Sequence, residues 1–139
     1  MLIAVTGATG FIGSSLCKFL KKEGHTVLSV SRRSGSDVEW DPSNGDIDAQ
    51  KLAGVEAVIH LAGENIASQR WTEKQKNRIL DSRVDGTMLL SKTLADMPNP
   101  PRVLLSGSAI GIYGNRGDEA LDEESTYGKG FLADVVEKW

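Results

Sequence analysis

An apolar run, Leu2-Ile3-Ala4-Val5, passes directly into Thr6-Gly7-Ala8-Thr9-Gly10-Phe11-Ile12-Gly13. Its three glycines stand at i, i+3 and i+6, and an amphipathic stretch from Phe11 to Glu23 follows. A strand, a tight glycine turn and a helix in this order aim backbone N–H groups and the positive end of a helix dipole at one point. Such a point suits a phosphate group. Gly7 permits the turn, Gly10 lets the backbone approach a pyrophosphate, and Gly13 allows the helix to pack closely on the sheet. A glycine-rich turn without a ligand accounts for the first glycine but not for three at this spacing.

The rest of the chain alternates in the same way. Gly24 stops the first helix, and Thr26-Val27-Leu28-Ser29-Val30-Ser31 reads as the second strand. Residues 32–46 are polar and turn-rich and contain Trp40-Asp41-Pro42. A short helix is expected over residues 47–52, ending at Gly54. Ala57-Val58-Ile59-His60-Leu61-Ala62 reads as a buried parallel strand before Gly63. A long helix is predicted from about Thr72, as N-cap, to Ala95, with Ile79, Leu80, Val84, Met88, Leu90 and Leu94 in helical period. Pro98-Asn99-Pro100-Pro101 separates it from Val103-Leu104-Leu105-Ser106, read as another buried strand. A last helix begins near Gly130 and is still running at Trp139. The fold class expected is α/β, a Rossmann-type doubly wound parallel sheet in three α/β/α layers, with residues 1–139 as one domain. Phe131, Leu132, Val135, Val136 and Trp139 on the last helix need a surface to cover. The expectation is an N-terminal portion of a longer protein, or self-association through that helix.

Composition bounds the partners. The chain has 139 residues, 40% hydrophobic and 25% charged, with a formal net charge of -3. That length supports one domain with a core of its own. A nucleic-acid surface needs a basic face, so no nucleic-acid partner is expected. The N-terminal apolar run is far too short to span a bilayer and has no basic flank, so no membrane partner is expected and the cytoplasm is the expected compartment. Cys17, the only cysteine, cannot form an intrachain disulfide and reads as a small core residue. No metal site is expected.

The second strand ends in Ser31-Arg32-Arg33. In dinucleotide folds this position meets the adenosine ribose, and an acid here accepts both ribose hydroxyls and favours NAD. Two arginines stand there instead, and guanidinium groups pair with a 2′-phosphate through charge-assisted, often bidentate hydrogen bonds. NADP is therefore the expected cofactor. The alternative is a solvated basic turn, with Asp37 or Asp41 serving the ribose. A P-loop is disfavoured because Gly13-Ser14 lacks the lysine that motif needs. A glycine-turn methyltransferase is disfavoured by the missing acid after strand two.

With Val5-Thr6-Gly7-Ala8-Thr9-Gly10-Phe11-Ile12-Gly13, His60-Leu61-Ala62-Gly63 and Ile112-Tyr113-Gly114, the chain resembles the extended short-chain dehydrogenase/reductase superfamily. Trp40-Asp41-Pro42, Leu61-Ala62-Gly63-Glu64-Asn65-Ile66, Arg70-Trp71-Thr72 and Ser82-Arg83 narrow the likeness to an atypical branch of epimerase family proteins, also called nucleoside-diphosphate-sugar epimerase-like. The resemblance covers essentially the whole chain and implies a sequence truncated before a C-terminal substrate lobe. It implies that Gly7, Thr9, Gly10, Phe11 and Ile12 lie along the pyrophosphate and that Ser31, Arg32 and Arg33 face the 2′-phosphate. Leu61, Ala62 and Gly63 would line the adenine-ribose side, with Glu64 at the lip. Ser106, Gly107 and Ser108 would approach the nicotinamide and a small-molecule substrate. His60 is read as a strand residue with a satisfied side chain.

The departures bear on catalysis. Catalytic members of the superfamily use Ser, Tyr and a Lys four positions after the Tyr, on one helix face, where the lysine lowers the tyrosine pKa and holds the ribose. Ser108 and Tyr127 match the serine and tyrosine, with Tyr113 as a second candidate proton donor. The position four after Tyr127 is Phe131, and Lys129 lies two after it. An i+2 residue on a helix points away from its partner, so Lys129 serves only if the helix starts after Gly130. Arg83 stands where many relatives have asparagine. Two functions follow as expectations: an NADP-dependent oxidoreductase or epimerase, or a non-catalytic NADP-binding redox-sensing or scaffold module.

Overall fold

The computed structural model describes residues 1–139. The chain divides into two compact units, residues 1–107 and 108–139.

The first unit is a six-stranded sheet. Its strands are β1 (Leu2–Thr6), β2 (Thr26–Ser31), β3 (Val38–Asp41), β4 (Asp46–Ile47), β5 (Ala57–His60) and β6 (Val103–Ser106), in the order β4-β3-β2-β1-β5-β6. All neighbours are parallel except β3 and β4, which pair antiparallel through Trp40↔Ile47 and Asp41↔Asp46. Helix α1 (Phe11–Lys22) connects β1 to β2, and α2 (Glu73–Ala95) connects β5 to β6.

Alternation along β1 separates two cores. Ile3 and Val5 face one side with Ala57, packed against Cys17 and Leu20 of α1. Ala4 faces the other side with Val30, Val38, Trp40, Val58 and the α2 residues Leu90 and Leu94. A strand covered on both faces reads as a continuous apolar run, which is why β1 and β5 were legible. The architecture is thus a Rossmann-like sheet between helices, as the sequence implied, with one antiparallel strand added at an edge. Cys17 is half-buried beside the α1 core, and its burial holds the thiol above its ordinary pKa.

Four local expectations are corrected. The stretch over residues 32–46 is not all turn: Val38 and Trp40 alternate inward as β3, and Asp41 begins a turn back into β4. The short helix expected over 47–52 is replaced by Ile47 at the end of β4 and one 3₁₀ turn at Ala49–Leu52. Strand β6 is not buried; it is an edge strand of the unit, and Leu105 is 57% exposed. Met88 faces solvent at 66% exposure, while Ile79, Leu90 and Leu94 carry the buried stripe of α2. Thr72 does cap α2, its hydroxyl accepting from the Gln75 N–H at 3.3 Å.

The second unit holds a 3₁₀ turn at Ile110–Tyr113, an irregular segment, and α3 (Phe131–Lys138). The helix buries Ala133, Val135 and Val136, and Leu132 packs on Gly111. Gly128 donates its N–H to the Ile112 carbonyl at 2.8 Å, and a Cβ at Gly128 would run into the Tyr113 carbonyl oxygen. That close approach explains a glycine between Tyr127 and Lys129.

Candidate functional site

The glycine turn is built for close backbone approach. Gly7 has φ +67°, a left-handed conformation, and a Cβ there would lie 2.9 Å from the Leu61 carbonyl. Gly10 donates its N–H to the Gly7 carbonyl at 2.9 Å, closing the turn. A Cβ at Gly13 would strike the same Gly7 oxygen, so α1 seats on the turn only with glycine at this position. Gly10 caps α1 without a side-chain hydrogen bond, and no acid lies in the first helical turn. The chemistry of this helix end fits an anion. Phe11 and Ile12, in that first turn, are exposed.

A cleft of about 630 Å³ opens over this turn, within the range of small-molecule and cofactor sites. Gly7, Thr9 and Gly10 line it together with Ser31, Arg32 and Arg33 after β2 and Leu61 to Glu64 after β5. Three segments far apart in sequence thus meet in one cavity. Phe11, Ile12, Gly13 and Ser106 are not among its lining residues. Ser106 ends β6, paired in register with His60. Ser108, Tyr113 and Tyr127 belong to the second unit. Ser108 is exposed, and Tyr127 is 61% exposed in the segment before α3, outside any helix.

The arginine pair sits on a turn held by its own serines. Ser31 Oγ accepts the Arg33 N–H at 3.0 Å, and Ser36 Oγ donates to the Arg33 carbonyl at 2.7 Å. Of the two acids that could have served the ribose, Asp37 is bound to Ser29. It accepts from the Ser29 N–H and hydroxyl, both at 2.7 Å, and these bonds hold its carboxyl below the usual range. Asp41 does line the cleft, but its carboxylate closes an Asx turn onto Ser43 and Asn44. The Ser43 hydroxyl is the main cause of its lowered pKa.

The wall formed by α2 escaped the sequence reading. Arg78, Asp81, Ser82 and Asp85 all line the cleft, and their i, i+3, i+4, i+7 spacing makes one face of the helix. Periodicity locates that polar stripe, but only the tertiary packing shows what it faces. Val30 of β2, Trp40 of β3, and Pro42 and Ser43 of the turn after it complete the lining. Arg83 reaches under the loop after β5. Its Nη1 donates to the Glu64 carbonyl at 3.0 Å and to the Ile79 carbonyl at 3.1 Å, and a Cβ on Gly63 would lie 3.1 Å from the guanidinium carbon. Burial lowers the pKa of Arg83, with Glu64 opposing that shift. His60 is fully buried and satisfied at both ring nitrogens, as expected.

A parallel sheet wound from β1 through a glycine turn into α1, with a cleft at the carboxyl ends of its strands, defines a Rossmann-like protein of the short-chain dehydrogenase/reductase kind. The model of the NAD dependent epimerase/dehydratase family matches residues 3–131, and the chain belongs to that family. Epimerase family protein Mb2239 of Mycobacterium bovis is 39% identical over 99% of the chain and 46% of its own length. The crystal structure of human epimerase family protein SDR39U1 with NADPH superposes with a TM-score of 0.85 at 33% identity, over 100% of this chain and 47% of that one. A nucleoside-diphosphate sugar epimerase from Corynebacterium glutamicum gives 0.82 at 35% identity, over 100% of this chain and 29% of that one. The chain spans about half the length of the curated relatives it matches.

Proposed function

We propose that residues 1–139 form the NADP(H)-binding domain of an oxidoreductase or nucleotide-sugar epimerase of the extended short-chain dehydrogenase kind. One observation carries this reading: the glycine turn and the Arg32-Arg33 pair line the same cleft. An uncapped helix end suits the pyrophosphate, and two exposed guanidinium groups beside it suit a further phosphate. The NADPH in the human relative's structure supports the choice of cofactor. When bound, the nicotinamide supplies hydride chemistry, so the substrate class is a small alcohol or carbonyl compound. Cytoplasmic location, without nucleic-acid or membrane partners, belongs to the same proposal.

The test is relative affinity. NADPH is expected to bind the chain more tightly than NADH, and Arg32→Ala with Arg33→Ala to abolish the difference. Equal affinities in the unaltered protein would overturn the NADP assignment.

A specific observation favours a second reading, a binding module without turnover. The position four after Tyr127 is Phe131, so the helix-face lysine of the catalytic members is missing. Helix α3 begins only at Phe131, which leaves Lys129, in the loop before it, as the one lysine that could stand in. Turnover of an alcohol or carbonyl by a full-length form, lost in Ser108→Ala, would select the enzyme. Tight NADPH binding with no turnover of any such substrate would select the module.

A further inference from the structure

Glu64 follows the cleft-lining stretch Leu61–Gly63, is half-buried, and is held by three side chains of α2. Its N–H bonds to Ser82 Oγ at 2.9 Å, its carbonyl accepts from Arg83 Nη1 at 3.0 Å, and its carboxylate Oε1 accepts from Gln75 Nε2 at 3.3 Å. Gln75 is 2% exposed, so this last donor is fixed in the core rather than waving in solvent. A solvated loop acid is not tied down at both backbone groups and at its carboxylate. An ionised carboxylate has about four acceptor sites, and the Gln75 bond uses one of them.

The register of α2 shows where this carboxylate is held. Gly86 sits against Trp40 and Pro42 and against His60 of β5, where an added Cβ would come within 3.3, 3.8 and 3.9 Å. Ser82 lies one turn nearer the helix N-terminus, and Gln75 two turns beyond that. Gln75, in the first turn of α2, thus holds the Glu64 carboxylate beside the loop that follows β5.

Strand order gives the flank on which it is held. Strands β2 and β5 flank β1 on opposite sides. A dinucleotide with its pyrophosphate over the β1 turn and its adenosine over β2 brings its other half to the β5 flank. An anionic carboxylate repels phosphate and accepts from hydroxyls. The group it suits on that flank is a neutral vicinal diol. We infer that Glu64 accepts hydrogen bonds from the diol of the ribose not attached to adenine, and that Gln75 is its positioning residue.

This inference rests on the dinucleotide reading of the cleft, and the experiment separates the two. Calorimetric affinities are measured for NADPH and for 2′,5′-ADP, which keeps the adenosine and 2′-phosphate but lacks the second ribose. In Glu64→Gln, NADPH is expected to bind about tenfold more weakly, the loss of a charge-assisted bond, with 2′,5′-ADP changed by less than about twofold. An equal loss for both ligands, or no loss for NADPH, would overturn the assignment. Gln75→Leu keeps the carboxylate and frees it, and a loss of about threefold confined to NADPH is expected. No loss there would overturn the positioning role. Failure of the unaltered chain to bind either ligand would instead remove the dinucleotide reading itself.

Discussion

The hydroxyl oxygen of Thr6 lies 2.7 Å from Nδ1 of His60, and both residues are fully buried between β1 and β5. The same oxygen accepts the N–H groups of Leu61 and Ala62, each at 3.0 Å. A hydroxyl carries one hydrogen and two lone pairs. With both lone pairs engaged, its hydrogen goes to Nδ1. The network thus assigns the proton of His60 to Nε2, which donates to Thr87 Oγ1 at 3.1 Å. Three elements, β1, β5 and α2, are joined under the cleft loop by two hydroxyls and one ring. Thr6→Val leaves Nδ1 and two N–H groups without this partner, and a loss of about 1–3 kcal/mol is expected in urea denaturation. Thr6→Ser should recover most of it.

The same ring predicts a pH dependence. Burial lowers the His60 pKa from 6.5 to about 4. The unfolded chain therefore binds a proton that the folded chain refuses between these values, and stability rises with pH across that window. His60 contributes fully above pH 6.5, and its contribution is lost as pH falls toward 4. The midpoint of urea unfolding should drop between pH 6.5 and 4, and His60→Gln should flatten that part of the profile. An unchanged slope in the variant would remove His60 as its source.

Glycine at position 13 is a steric requirement rather than a flexible hinge. Its φ is not in the left-handed region, yet a Cβ would meet the Gly7 carbonyl oxygen, which is backbone and cannot rotate away. Gly13→Ala must lift α1 from the turn, a change expected to cost about 2 kcal/mol by overpacking. It should also weaken whatever anion the turn holds. Gly24→Ala, where a Cβ meets nothing within 4 Å but φ is +82°, separates strain from clash. It is expected to destabilise without affecting ligand affinity, by chemical denaturation and calorimetry respectively.

How far the sequence was legible depends on what each element packs against. The runs 2–5 and 57–60 announce strands because both faces are covered, and Thr72 announces α2 because a cap is a local device. Val38-Glu39-Trp40-Asp41 did not announce β3, since a four-residue strand with two acids resembles a loop until its inward pair is seen. Val103-Leu104-Leu105 misled in the opposite sense. Apolar composition suits a buried strand, but β6 has a neighbour on one side only within its unit. In the cleft, the glycines and arginines were readable from motif chemistry. Arg78, Asp81, Ser82 and Asp85 were not, because which face of α2 turns to the cleft is set by Leu90 and Leu94 in the core.

The contrast between β5 and β6 is measurable. Val58 is fully buried in the α2 core, whereas Leu105 is 57% exposed. Val58→Ala should cost about 2 kcal/mol through lost burial and an unfilled cavity. Leu105→Ala removes a larger side chain yet should cost less than about 1 kcal/mol. Equal costs in urea denaturation would mean that β6 is covered in solution.

In the second unit, Arg116 organises the segment that carries Tyr127. Its guanidinium grips Glu119 with both a 2.7 Å and a 2.6 Å bond, and its Nη1 donates to the Thr126 carbonyl at 3.0 Å. The bidentate pair is partly exposed and would count for little as an isolated surface ion pair. Its effect here is geometric, since one planar fork ties residue 119 to the residue directly before Tyr127. Arg116→Lys keeps the charge but cannot make the fork and the third bond together. Amide exchange over residues 117–127 should accelerate about tenfold in Arg116→Lys, while residues 1–107, a separate compact unit, keep their protection. Faster exchange throughout the chain would instead make Arg116 a determinant of global stability.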